Sequence, residues 1–104
     1  MSQYDVFENP IPRARSAFPL VTILQSELAD TGRDRMVAPL VIRARMPGVS
    51  GRLTPVVKVL GVEYVLLVPR MAPVASADLR NVKDQLASYR DDIVAALDFL
   101  FLGV

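Results

Sequence analysis

"MVAPLVIRARM", residues 36–46, is the stretch that decides what kind of fold the chain forms. Its β-branched and aliphatic residues suit a pleated, half-buried surface, and the run is long for a strand. Pro39 interrupts it. Proline has no N–H to give to a ladder, so an edge position, a strand start or a bulge is expected there. The same run turns basic at its end. Arg43 and Arg45, two apart on a strand, share one face. Together with Arg33, Arg35 and Arg52 they stand against a single acid, Asp34, between residues 33 and 52. This has two readings. Arginine forks bind carboxylates bidentately, which suits a docking surface for an acidic partner. Alternatively the arginines are the solvated face of a half-buried strand and contribute little.

Working outward, more strands appear on both sides. "YDVF" (4–7) is short and β-prone, and "ENPIPRARSAFP" (8–19) reads as a Pro-rich loop. "LVTIL" (20–24) is a strand, and "QSELADTGRDR" (25–35) is a polar connection that turns near Thr31–Gly32. Asp30 and Asp34 flank that turn, but two carboxylates without a third ligand make no metal site. "PGVSG" (47–51) turns the chain again. "PVVKVL" (55–60) and "VEYVLLV" (62–68) flank Gly61 as a very tight hairpin or a bent strand pair. "PRMAPVAS" (69–76) is too rich in proline for a helix and suits a loop or short edge strand. Residues 77–87 stay open between a short helix and a polar crossover.

The last segment is helical. Ser88 and Asp91 have the spacing of a capping box, which starts a helix at about Tyr89. Asp91 and Asp92 fall in its first turn, where negative charge suits the macrodipole better than it suggests catalysis. Gly103 is placed to end it. The expected fold is mostly β: a small, strongly bent sheet of about five strands with one C-terminal α-helix, in a single domain over 1–104.

Composition limits the chemistry. The chain has 104 residues, 52% of them apolar and 22% charged, which suits one globular domain. A formal charge of +1 gives no reason to expect direct nucleic-acid binding. There is no Cys and no His, which removes thiolate chemistry, the usual general base and the commonest metal ligand. No Gly-rich phosphate loop follows a strand. Catalytic residues, metals and cofactors are therefore not expected. The start lacks a basic, then apolar, leader pattern, and the longest apolar stretch is broken by Lys58, Gly61 and Glu63. A cytoplasmic protein without a membrane partner is expected.

"ALDFLFLGV" (96–104) fits folding alone less well. On a helical wheel Ile93, Val94, Ala96, Leu97, Leu100 and Phe101 form one broad apolar face, as a core helix requires. Phe99 and Leu102 fall on the other side, where only Asp98 is charged. A second apolar face calls for a partner.

Four stretches carry a family resemblance. "QSELADTGRDRMVAPL" (25–40) resembles the "QS…DT…RMV.PL" segment of the CcdB-type toxins, the gyrase poisons of plasmid-borne or chromosomal toxin–antitoxin modules. "LTPVVKV" (53–59) resembles their "L.PVV" strand, "MAPV" (71–74) their "MA.V" stretch, and "LASYRDDIVAALDFLFLGV" (86–104) their terminal helix. The match spans essentially the whole chain, with a longer loop near 8–17. It implies an SH3-like barrel with a terminal helix, and a homodimer with its chain ends on one side. It also implies binding to the A subunit of DNA gyrase, trapping of cleaved DNA, and neutralisation by a cognate antitoxin. Carried over by position, the gyrase-facing residues are Asp98, Phe101, Leu102, Gly103 and Val104, with Leu28 and Ala29 as a loop pair.

Three of these positions depart from the family pattern. Leu102 stands where the family has a tryptophan anchor, Ala29 replaces a larger aliphatic residue, and Asp98 replaces an amide. Two alternatives therefore stay open beside the gyrase-poison reading. One is a CcdB-like fold whose gyrase activity is lost or retargeted, leaving an antitoxin-binding module. The other is an mRNA-cleaving toxin on the same barrel.

Overall fold

The computed structural model describes residues 1–29 and 32–104. The turn residue Thr31 and the carboxylate of Asp30 lie outside the described residues. The chain forms β1 (Asp5–Glu8), β2 (Leu20–Ile23), β3 (Asp34–Ile42), β4 (Val56–Val59), β5 (Val62–Leu66), β6 (Ala72–Ala75), β7 (Asp84–Gln85) and one helix, α1 (Arg90–Leu102). The five strands expected from sequence are present. The edge strand allowed at 69–76 is β6, and the undecided 77–87 segment supplies the two-residue β7. The strands form one antiparallel sheet in the order β4-β5-β3-β2-β1-β7, with β6 also on β3. It curls into a nearly closed, SH3-like barrel.

The curl originates in β3. One edge pairs with β2, from Leu20↔Leu40 to Ile23↔Val37. The other edge is divided: Asp34–Val37 pair with β6, and Leu40–Ile42 pair with β5. Pro39 sits between the two pairings. It is neither at a sheet edge nor at a strand start, two of the three places expected for it, and falls instead at the break where that edge changes partner. Its carbonyl accepts the Leu67 N–H at 2.9 Å, and in an antiparallel strand a residue's nitrogen faces the same edge as its carbonyl. The missing donor therefore falls where β6 has ended and β5 has not begun.

Alternation along β3 buries both faces of the sheet. Ala38 and Leu40 point into the barrel core with Val6, Val57, Val59, Leu66, Val68 and Leu86. Val37 and Val41 point the other way, into two smaller clusters roofed by Val74 and Leu79 and by Phe18, Met46 and Val49. The long 8–19 loop is tied down through buried Asn9. That side chain donates to the Phe18 carbonyl at 2.9 Å and accepts the Ile11 N–H at 3.0 Å. Tyr4 also sits in the barrel core, and burial pushes its phenol above the usual 10.0 while Arg90 pulls it down. It is uncharged at neutral pH.

The hairpin around Gly61 is as tight as expected. Val59 pairs with Val62, leaving Leu60 and Gly61 as a two-residue turn with φ of 49° and 82°. Positive φ at both central positions is the type I′ geometry. Glycine adopts it freely, whereas leucine is strained there.

Strands β4 and β7 are the two ends of the sheet, and side chains clasp them together. The Lys58 N–H donates to the Tyr89 hydroxyl at 3.0 Å, and the Leu60 N–H donates to Asp84 Oδ2 at 2.8 Å. The other Asp84 oxygen accepts the Gln85 N–H at 2.7 Å. An exposed row of unpaired edge groups, which invites aggregation, is thereby blunted without a backbone ladder.

Two stability measurements check this account. Asp84→Ala removes the acceptor for two N–H groups that water can still reach, so it is expected to cost ~1 kcal/mol. In thermal unfolding that is a loss of about 4–8 °C for a domain of this size. Leu60→Asn keeps the turn and relieves the left-handed strain, so it is expected to raise stability by about 1 kcal/mol.

Candidate functional site

Helix α1 is built differently at its two ends. At the start, a single 3-10 turn over Ala87–Tyr89 winds directly into Arg90. The Tyr89 N–H bonds the Leu86 carbonyl at 2.9 Å, and the Arg90 N–H bonds that of Ala87. These i→i+3 bonds satisfy donors that a cap would otherwise serve. The expected capping box from Ser88 to Asp91 is therefore not formed, since the helix has no side-chain cap hydrogen bond. Asp91 and Asp92 lie in the first turn as expected, exposed and at the positive end of the dipole.

The core face is narrower than the wheel suggests. Ile93 and Ala96 are fully buried, and Leu97 and Leu100 pack against the same core. These four span about 100° of arc around Ile93, and Phe101 lies about 80° from Ile93, outside that span. Beyond Leu100 the helix overhangs the barrel. Phe101, expected in the core, is 68% exposed, with Leu102 at 70% and Val104 at 73%. Gly103 ends the helix in the left-handed conformation, φ 72°, with its N–H bonded to the Phe99 carbonyl at 3.1 Å. That reversal turns Val104 away from the helix axis and leaves an apolar tip. Asp98 is exposed one turn before Leu102 on the same side.

Phe99 departs from expectation in the opposite sense. It is half-buried, and the guanidinium of Arg52 lies over its ring at 4.0 Å from the centroid. The second apolar face is thus Leu102 with Phe101 and Val104 at the tip, while Phe99 sits at its flank beneath a cation. No local sequence signal joins residue 52 to residue 99.

The loop pair lies in the connection between β2 and β3. Leu28 is 96% exposed, so it packs on nothing in its own chain. Its N–H reaches Ser26 Oγ at 3.2 Å, and the Ala29 N–H reaches the Ser26 carbonyl at 3.0 Å. The Ala29 carbonyl also accepts the Gln25 side-chain amide. A compact turn therefore presents Leu28 outward.

Arg43 and Arg45 do not sit side by side on a strand. β3 ends at Ile42, and Arg43–Arg45 form a 3-10 turn. Each arginine already has an intramolecular partner. Arg43 Nη1 reaches both oxygens of Glu63, at 3.2 and 3.3 Å, and Arg45 Nη1 donates to the Ser16 carbonyl at 2.8 Å. These contacts fasten the 8–19 loop and the start of β5 to the turn that follows β3. Among the described residues no three side chains of the metal-ligating acidic type converge, and no helix is long and apolar enough to cross a membrane.

A barrel closed at its seam by side chains, with one terminal helix overhanging it on an apolar tip, is the geometry to compare with known proteins. A family model described as CcdB protein matches residues 3–103. The chain belongs to the CcdB family. No curated protein matches it. CcdB proteins are toxins of toxin–antitoxin modules, of the kind that poison gyrase instead of catalysing a reaction of their own. In this CcdB-family chain the tip brings three exposed large apolar side chains, Phe101, Leu102 and Val104, within four consecutive residues.

The division of labour along α1 is testable by substitution. Phe101→Ser or Leu102→Ser is expected to change unfolding free energy by no more than about 0.5 kcal/mol, because neither side chain is buried. Ile93→Ala, made in the same helix, is expected to cost about 2–5 kcal/mol. Denaturant unfolding of the three variants measures both.

Proposed function

We propose that this chain is a homodimeric, cytoplasmic toxin that binds the A subunit of DNA gyrase through its C-terminal tip and traps the enzyme on cleaved DNA. A cognate antitoxin holds it in check. The observation that carries this reading is the exposure of Phe101, Leu102 and Val104 at the end of a helix whose other face packs Ile93, Ala96, Leu97 and Leu100 on the core. Each large apolar side chain left in water forgoes about 1.5–3 kcal/mol of burial, and contiguous patches of this kind mark interaction sites. Asp98, Gly103 and the loop pair Leu28 and Ala29 complete the contact surface, with the loop pair meeting the tip across the dimer. Arg43 and Arg45 keep a subsidiary role at most, since docking to an acidic partner requires breaking contacts they already make.

Leu102 favours a second reading. Tryptophan leads the residues that anchor interfaces, and its loss commonly costs ~2 kcal/mol or more, over tenfold in affinity. A dimer loses it twice. On that reading the fold and antitoxin binding persist while gyrase poisoning is lost or retargeted.

Capture of purified gyrase A subunit by wild-type protein and by a Leu102→Trp variant separates the two. Capture by wild type, with growth arrest and broken DNA on induction, supports the gyrase poison. Capture by the variant alone supports the retargeted module. Arrest unchanged by gyrase mutations at the contact surface counts against the first reading.

A further inference from the structure

We propose that Arg52 is a further partner-contacting, specificity-determining residue, whose guanidinium receives a carboxylate of the gyrase A subunit at the flank of the C-terminal tip. This inference rests on the gyrase-binding reading above and deepens it.

Three observations converge on Arg52. Its backbone is fixed in a tight turn: Gly51 and Thr54 form a bridge, and the Thr54 N–H bonds the Gly51 carbonyl at 3.2 Å. Its guanidinium is fixed at the other end of the side chain, lying over the Phe99 ring at 4.0 Å. Yet it has no anion. Among the described residues the ion pairs are Arg15 with Glu8 and Arg43 with Glu63, and no hydrogen bond from Arg52 is made to any acceptor. The guanidinium carbon lies over the ring, and no hydrogen bond within the described residues engages its N–H donors, which leaves them for another molecule.

Position makes this cation part of the proposed contact surface. Phe99 is three residues before Leu102, so the two lie on neighbouring rows of one helix side. A partner that covers Leu102 therefore meets the Arg52 guanidinium beside it. Arginine held over an aromatic ring gives up less rotamer freedom on binding, and its planar fork matches a carboxylate with two parallel bonds. Where tryptophan is missing from the tip, a pre-organised cation next to Leu102 supplies directional recognition that an aliphatic side chain lacks. Phe99 acts here as a positioning residue.

The test is the Kd for purified gyrase A subunit of the full-length wild type, Arg52→Ala, Arg52→Lys, Arg52→Glu, Phe99→Leu and the Phe99→Leu/Arg52→Ala pair. Thermal melting confirms that each is folded. Arg52→Ala is expected to weaken binding about tenfold, and Arg52→Glu more. Arg52→Lys should recover only part, because it lacks the fork. The difference between wild type and Arg52→Glu should shrink as salt rises. Phe99→Leu should weaken binding only where Arg52 is present. A gyrase A carboxylate whose change to lysine restores binding to Arg52→Glu would identify the partner group. Wild-type binding that Arg52→Glu leaves unaltered, but Leu102→Ser abolishes, overturns the role of Arg52 and spares the gyrase reading. No wild-type complex at all overturns both. Equal losses from Phe99→Leu in both backgrounds overturn the platform role.

Discussion

Everything in this barrel follows from one strand serving two partners on the same edge. β3 hands over from β6 to β5 at Pro39, and a residue with no N–H occupies the one place on that edge where a donor would have been stranded. A β-sheet that must accommodate two partners end to end cannot stay flat, so β5 and β6 diverge and the sheet curls around Ala38 and Leu40. The remaining problem is the gap left by an incomplete cylinder. It is met twice over: by Tyr89 and Asp84, which take the N–H groups of Lys58 in β4 and of Leu60 in the turn after it, and by α1, which lays Ile93 and Ala96 over the open core.

The helix is longer than that task requires. Its burial ends at Leu100, and two more residues, Phe101 and Leu102, carry it beyond the sheet before Gly103 reverses the chain. The core-facing half is therefore held to a narrow choice of residues by packing, and the overhanging half is under no such constraint. That separation is what lets one short element contribute stability and present a surface without the two demands competing. The same logic applies to Leu28, which stands out from a turn held by Ser26 and Gln25 through backbone and side-chain bonds that do not involve the leucine side chain.

Much of this was legible from local chemistry. Runs of β-branched residues gave the strands, Gly61 gave the hairpin, and Gly103 gave the helix end. What was not legible depends on contacts distant in sequence. Arg43 and Arg45 looked like a strand continuation because nothing nearby reveals the partners they meet in the turn, Glu63 and the Ser16 carbonyl. Ser88 looked like a cap because a 3-10 entry leaves no local mark. Phe101 fell on the core face of a wheel that assumes the partner surface runs the whole length of the helix. Phe99 was placed in water because the cation that covers it comes from 47 positions earlier in the chain, between Arg52 and Phe99. The pattern of success is that period and turn chemistry are local, while the end of a strand and the edge of a buried face are set by what lies opposite.

A tip of three apolar side chains is small for a binding site. Specific protein interfaces cover about 800 Å² on each partner, and association carries a large entropic cost before any contact shows as affinity. Phe101, Leu102 and Val104 on one chain fall well short of that area, and Leu28 adds only one more exposed side chain. On the proposed homodimer, two tips brought together by a two-fold axis double the apolar area, and a loop pair set beside each tip enlarges it further. On that proposal dimerisation is no accessory to the surface: it makes side chains the fold does not need into a site large enough to hold a partner.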